Sequence, residues 1–333
     1  MKHLLKLLDC TPEEITSILD LADQLKYERK HHISHRLLEG KSIGLIFQKS
    51  STRTRVSFET GMFQLGGQAL FLSSRDLQIG RGEPVQDTAR VLSRYLDGIM
   101  IRTYEQKEVE DLAKYGSIPI INGLTDFCHP CQVLADLMTI QEHFGRTQTR
   151  GLKVSVIWCY ATTHKKPISV PLTQALLFPR YGMEVTLAYP EGYELPEWVI
   201  EQARANAEEN GGSIRISHDI RQAFEDADVV IPKNWGSWYA DSKKETVENR
   251  EGNTTLTEKE LEELARNQSW KCTQELMDLT SAHSIYMHAL PADRVNEVED
   301  SVIDGPHSII YQEAENRLHT VKAVMDLTMG GRR

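Results

Sequence analysis

The chain has 333 residues, of which 40% are apolar and 26% charged, with a formal net charge of -10. That length exceeds what one hydrophobic core ordinarily supports, so two domains are expected. The acidic balance excludes a general nucleic-acid binder, whose phosphate contacts need surplus Lys and Arg, and no apolar run is long enough to cross a bilayer.

The opening MKHLLKLLDC carries no small-residue cleavage site, and five cysteines at irregular spacing suit reduced thiols, so a cytoplasmic location is expected. Leu and Ile at helical spacing from Asp9 to Tyr27 predict a helix, with Thr11 able to cap it and Pro12 in its first turn. KSIGLIFQ (41–48) reads as a strand, and VSFETGMFQLGG after it as a helix stopped by glycines. DGIMIRT is a strand ending on Arg102, VEDLAKYG a helix and SIPIINGL a strand, and CQVLADLMTIQEHFG is a helix opening just after His129 and Pro130. After RTQTRG the pattern restarts with LKVSVIWC, and EVTLAYP, SIRISHD and DADVVIP follow as strands separated by helices. Strands alternating with helices predict an α/β fold of two doubly wound parallel-sheet domains, residues 1–147 and 148–312, parting near Arg146 to Gly151. Residues 241–257 read as an exposed, charge-rich loop, and His164 to Pro179 places three prolines where a helix should simply begin.

Between strand and helix, Ser51, Thr52, Arg53, Thr54 and Arg55 stack hydroxyls and guanidinium groups at a helix start. Free N–H groups, the positive dipole end and the arginines make that turn a favourable phosphate site, although a solvated helix cap would read similarly. No GxxxxGK[ST] occurs, which excludes a Walker loop. Arg102 and the pair His129 and Gln132 lie at further strand ends, the edge where open α/β sheets collect ligands. The pair in CHPC (128–131) has no second pair at zinc-finger spacing, so no metal is expected there.

STRTR (51–55), LQIGRGEPVQDTARVLSRYLDGIMIR (77–102), HPCQ (129–132), HALP (288–291) and YQEAENRLH (311–319) together resemble the aspartate and ornithine carbamoyltransferases. The resemblance implies a carbamoyl phosphate domain, an acceptor domain and a last helix, within 313–333, that packs back on the first domain. It implies that Ser51, Thr52, Arg53 and Thr54 hold the phosphate, with Arg102 bridging phosphate and carbonyl oxygen. Thr54, Arg102 and His129 would face that oxygen, Gln132 and the carbonyl of Leu290 the carbamoyl NH2, and Arg317 the phosphate. Gln78 would reach in from a neighbouring subunit of a homotrimer, which could pair into a hexamer. Arg53, Arg102, His129 and Gln132 would carry the chemistry, without metal or cofactor. The partners implied are carbamoyl phosphate and a small amine, with neither nucleic acid nor membrane.

The acceptor side departs from ornithine-specific members. Lys233, in DVVIPKNWGSW, stands where they carry an aspartate, and an ammonium facing the ammonium of free ornithine would repel it. KNWG and the proline-bearing loop resemble the knotted branch that takes acylated ornithines, so an acceptor with a blocked or acidic end is expected; ornithine, putrescine or binding without turnover are the alternatives. Ala289 replaces the usual cysteine of HCLP, keeping a backbone carbonyl but losing a thiol. Trp235, with Trp238 and Tyr239, would wall the acceptor pocket, although aromatics beside a strand end are as often packing.

Overall fold

The computed structural model describes residues 1–73, 77, 82–162, 166–238 and 258–331. Its first half comprises α1 (Pro12–Lys30), β1 (Ser42–Phe47), α2 (Thr52–Gln64), β2 (Gln68–Ser73), α3 (Val85–Leu92), β3 (Gly98–Arg102), α4 (Gln106–Tyr115), β4 (Ile120–Leu124) and α5 (Pro130–Phe144). Then follow β5 (Lys153–Trp158), α6 (Ser169–Leu177), β6 (Glu184–Ala188), α7 (Glu197–Asn210), β7 (Ser213–Ser217), α8 (Ile220–Phe224) and β8 (Val229–Lys233). The chain closes with α9 (Glu258–Arg266), α10 (Gln274–Met277), β9 (Ile285–Tyr286), α11 (Asp300–Ile303) and α12 (Ile310–Met329). Two compact units result: Met1–Thr139 with Ala314–Arg333, and Ile140–Glu313.

In the first unit all strands are parallel, in the order β2-β1-β3-β4. A parallel sheet needs cover on both faces, and its strands read accordingly as Val/Ile/Leu runs rather than alternating ones. Ile46, Ile99, Ile101 and Ile120 pack with Ala89 of α3 and Val109 and Leu112 of α4. Phe58 and Met62 of α2 are also fully buried. The sequence β2, β1, β3 reverses winding direction between β1 and β3, and register pairs Phe47 with Arg102 at that crevice. The second unit repeats the plan, with parallel order β7-β6-β5-β8-β9 and Trp158 in register with Lys233. Both sheets match the expected fold class.

Helix α1 begins where its capping residues dictate. Thr11 Oγ1 accepts from Glu14 N at 3.2 Å while Glu14 Oε2 accepts from Thr11 N at 3.0 Å, so two otherwise orphaned donors are satisfied reciprocally. Strand β2 was not expected: Leu70 and Phe71 are more than a third exposed on this sheet-edge strand, so QALFLS lacks the buried run that marks β1 and β3. In α6, Pro171 sits in the first turn, where its missing N–H costs nothing. Of the proline-bearing loop His164 to Pro171, residues 164 and 165 lie outside the described residues, as does the expected exposed loop 241–257.

Candidate active site

In the first unit, Gln48 N follows β1 and donates to Arg102 O at 2.9 Å, so the turn into α2 leaves the sheet beside the end of β3. Ser51 caps α2: its hydroxyl accepts from Thr54 N at 3.3 Å and lies 3.1 Å from Thr54 Oγ1. The first-turn N–H groups of a helix have no intrahelical acceptor, which leaves Thr52 and Arg53 as anion donors. Thr54 is buried, while Thr52 is exposed.

Arg317 of α12 reaches the same place. Its Nη1 donates to Gln132 Oε1 at 2.5 Å and its Nη2 to Thr54 Oγ1 at 3.3 Å, and all three side chains are buried. Arg53, Arg102, His129 and Arg317 interact electrostatically as one cluster. Burial, then the charges of Arg317 and Arg53, push Arg102 down to about 10. Burial and the same three arginines hold His129 well below the usual imidazole range, so at neutral pH it is an uncharged ring with one N–H to give. Among the described residues, Arg102 Nε is buried without a hydrogen-bond acceptor. Three guanidinium groups close enough to repel one another's charge, with an unsatisfied donor among them, form a cluster whose chemistry suits an anion.

His129 is set by the loop before α5. Thr125 Oγ1 accepts from Phe127 N at 3.2 Å and Cys128 N at 3.0 Å, and Cys128 Sγ donates to Gln106 Oε1 at 3.3 Å. The CHPC thiols are thus interior hydrogen-bonding groups. Burial pushes Cys128 up to about 12 and Cys131 to about 11, so neither is a ready thiolate.

In the second unit, Lys233 at the end of β8 was expected to face the acceptor. Its ammonium instead lies 3.6 Å from Glu297 Oε1 and 3.1 Å from Asn234 Oδ1. Glu297 is wholly buried and also takes Asn234 N at 2.5 Å and Asp293 N at 3.0 Å, with His288 Nε2 at 3.1 Å. Burial alone would raise the Glu297 carboxyl, but Lys233 and His288 outweigh it and hold it down to about 2. At Lys233 burial wins over the same pairing and lowers its pKa. His288 Nδ1 accepts from Leu290 N at 2.8 Å, which fixes the ring with its proton on Nε2, toward Glu297. Leu290 adopts φ +50, a left-handed backbone conformation rare for a leucine, and this hydrogen bond helps to hold it. Ala289 is half-buried beside it.

Trp235, expected as a pocket wall, is fully buried in the interior of this unit: its indole N–H donates to Tyr193 O at 3.0 Å and its carbonyl accepts from Trp158 Nε1 at 2.7 Å. Trp238 is 39% exposed. Tyr239 and Gln78 lie outside the described residues. The residues that sequence reasoning missed are charged groups without a motif. Lys49 pairs with Asp126 and sits 4.2 Å over the Tyr104 ring, and Asp126 partly offsets the repulsion at Arg102. Only its position next to the Ser-Thr-Arg run could have flagged Lys49. Glu297 lies in the unremarkable stretch NEVED, and no local pattern distinguishes it from a surface acid.

A doubly wound α/β unit that gathers buried guanidinium and hydroxyl groups at a winding reversal has the chemistry of a small-anion site. Residues 2–142 match the family described as aspartate/ornithine carbamoyltransferase, carbamoyl-P binding domain, and residues 168–328 its Asp/Orn binding domain. Ornithine carbamoyltransferase of Thermococcus kodakarensis is 45% identical over 330 residues, covering 99% of this chain and 97% of that protein. The solved ornithine carbamoyltransferase of Pyrococcus furiosus superposes with a TM-score of 0.87 at 44% identity, covering 100% of this chain and 98% of that one. An acetylornithine transcarbamylase solved with acetylcitrulline gives a TM-score of 0.87 at 34% identity, covering 99% of each chain. The chain belongs to the aspartate/ornithine carbamoyltransferase family, and it is a carbamoyltransferase.

Proposed function

We propose that the chain transfers the carbamoyl group of carbamoyl phosphate to the side-chain amine of ornithine, releasing phosphate. The observation that carries the donor half is the cluster of Arg53, Arg102 and Arg317 around Thr54, His129 and Gln132 in the first unit. A neutral amine attacks the carbamoyl carbon, negative charge grows on its oxygen, and the C–O bond to phosphate breaks. Donors fixed in advance lower that barrier most where charge develops. Arg102, the Thr54 hydroxyl and the neutral His129 N–H serve the carbonyl oxygen; Ser51, Thr52, Arg53 and Arg317 serve the phosphate. Gln132 Oε1, now held by Arg317, accepts from the carbamoyl NH2. The departing phosphate takes the amine proton, so no separate general base is needed.

For the acceptor, two observations favour free ornithine over a blocked derivative. The relatives at about 45% identity are ornithine carbamoyltransferases. Lys233, the reason to disfavour ornithine, has its charge offset by Glu297 at 3.6 Å, so the repulsion of an α-ammonium is largely cancelled. A second reading, an N-acylated ornithine, draws on the segment Lys233-Asn234-Trp235 and on the acetylornithine transcarbamylases among the solved relatives. We further propose a homotrimer in which Gln78 serves a neighbouring subunit. Phosphate release with ornithine, acetylornithine, succinylornithine, putrescine and aspartate tests the reading: ornithine should give the highest kcat/KM. Preference for an acylated ornithine would establish the second reading, and binding of carbamoyl phosphate without turnover of any amine would remove catalysis.

A further inference from the structure

Lys322 of α12 is fully buried, yet it is an amine where an apolar residue would normally sit. Its Nζ lies 3.1 Å from Gln64 Oε1, at the last turn of α2, and 2.7 Å from His35 Nε2, beyond α1. An ammonium has only donors, so His35 Nε2 must accept, and the ring proton then sits on Nδ1. That nitrogen lies 3.2 Å from Ile33 O, which receives its proton, with the Glu28 carboxylate 3.2 Å away as a charge neighbour rather than a hydrogen-bond acceptor. The result is a neutral imidazole that accepts from the Lys322 ammonium of α12 and donates to the backbone after α1, beside the Glu28 charge.

Helix α12 also meets α2 at the candidate site. Along α2, Thr54 in the first turn takes Arg317, Gln64 in the last takes Lys322, and Gly61 lies between them. A Cβ on Gly61 would stand 3.0 Å from Met325 Cε and 3.1 Å from Lys322 Cγ, so the lysine stem crosses α2 over the missing side chain. Apolar packing tolerates small slides and rotations of a helix, whereas a buried polar group must keep its partners and so fixes register. Arg317 needs such a fixed pivot, because before an anion binds its charge and that of Arg102 repel each other. We infer that Lys322, held by His35 and Gln64, is a positioning residue that sets α12 on α2 so that Arg317 is presented to carbamoyl phosphate. This rests on the reading of Arg317 as a phosphate ligand.

The test is steady-state kinetics with thermal denaturation on Lys322→Met and His35→Leu, with Arg317→Leu as the control. Misplacement of a ligand by about 1 Å can cost on the order of a hundredfold, so Lys322→Met is expected to raise the KM for carbamoyl phosphate about ten- to a hundredfold. kcat should change less than about threefold on the same argument, and Tm should not fall, because removing a buried charge for an apolar group of similar volume is often neutral or stabilising. A purely structural lysine would lower Tm and leave KM alone.

A pH series supplies a second readout. Lys322 is faced by His35, Glu28 and Arg29 from α1 and its following turn, by Gln64 from α2 and by His319 on its own helix. Burial and then Lys322 hold His35 below the usual imidazole value, so it protonates only as the solution becomes distinctly acidic and there loses the lone pair that Lys322 uses. The KM ratio of Lys322→Met to wild type should therefore shrink toward one on the acid side, where titration of substrate and His129 cancels between the two proteins. Should Lys322→Met fail to fold, His35→Leu decides alone. A KM within twofold of wild type in the folded variants, with Arg317→Leu strongly impaired, overturns this inference only. An unchanged KM in Arg317→Leu overturns the ligand reading and the inference with it.

Discussion

Arg102 ends a buried strand, lies close to two further guanidinium groups and is pushed down from the ordinary guanidinium range to about 10. A shift of that size represents an unfavourable charge on the order of 3 kcal/mol, which a bound dianion would return. Arg102→Leu should therefore leave Tm unchanged or raised while kcat/KM for carbamoyl phosphate falls at least about a hundredfold, as expected when a preorganised donor is removed. A parallel loss of both would mean that Arg102 is there for the fold. Glu297 makes the opposite case. Its carboxyl is held from 4.5 down to about 2, so its contribution is complete above the unfolded value and disappears as pH falls from about 4.5 to 2. That contribution is on the order of 3 kcal/mol. Acid titration followed by near-ultraviolet circular dichroism should show wild type losing stability across that window, with Glu297→Gln less stable at neutral pH and flat within it.

At the scale of elements, what could be read in advance depended on how far each segment's chemistry was local. Thr11 and Pro12 announce α1, and Thr11→Ala should cost about 1 kcal/mol in urea denaturation without changing activity. The buried apolar runs of β1, β3 and β4 are equally plain, and with them the strand ends that carry Arg102 and the turn to Ser51. Strand β2 escaped because an edge strand with exposed Leu70 and Phe71 need not look buried. β9 escaped because Ile285–Tyr286 is too short to have a period. The residues proposed to grip phosphate could be named in advance because hydroxyl and guanidinium groups crowd one helix start. The partners of Lys233 were not, since Glu297 lies 64 positions away in a stretch with no pattern, and only folding brings the pair to 3.6 Å. Trp235 stayed ambiguous for the same reason: an aromatic beside a strand end reads alike whether it walls a pocket or, as here, fills a core.

For the whole molecule, the two parallel-sheet units follow from repeated strand–helix alternation, and among the described residues no helix is long and apolar enough to cross a membrane. The proposed trimer predicts a solution mass near three times the 37.9 kDa chain by light scattering, and Gln78→Ala should impair carbamoyl phosphate turnover without dissociating it. A monomer with full activity would remove the shared-subunit proposal. The account as a whole stands on the first unit gripping carbamoyl phosphate through the turn after β1. Calorimetric titration of carbamoyl phosphate into wild type and Arg53→Ala tests this most directly: saturable binding by the wild type, and loss of at least about 3 kcal/mol of binding energy in a variant with native circular dichroism, is the predicted result. Equal affinity of the two proteins would contradict it.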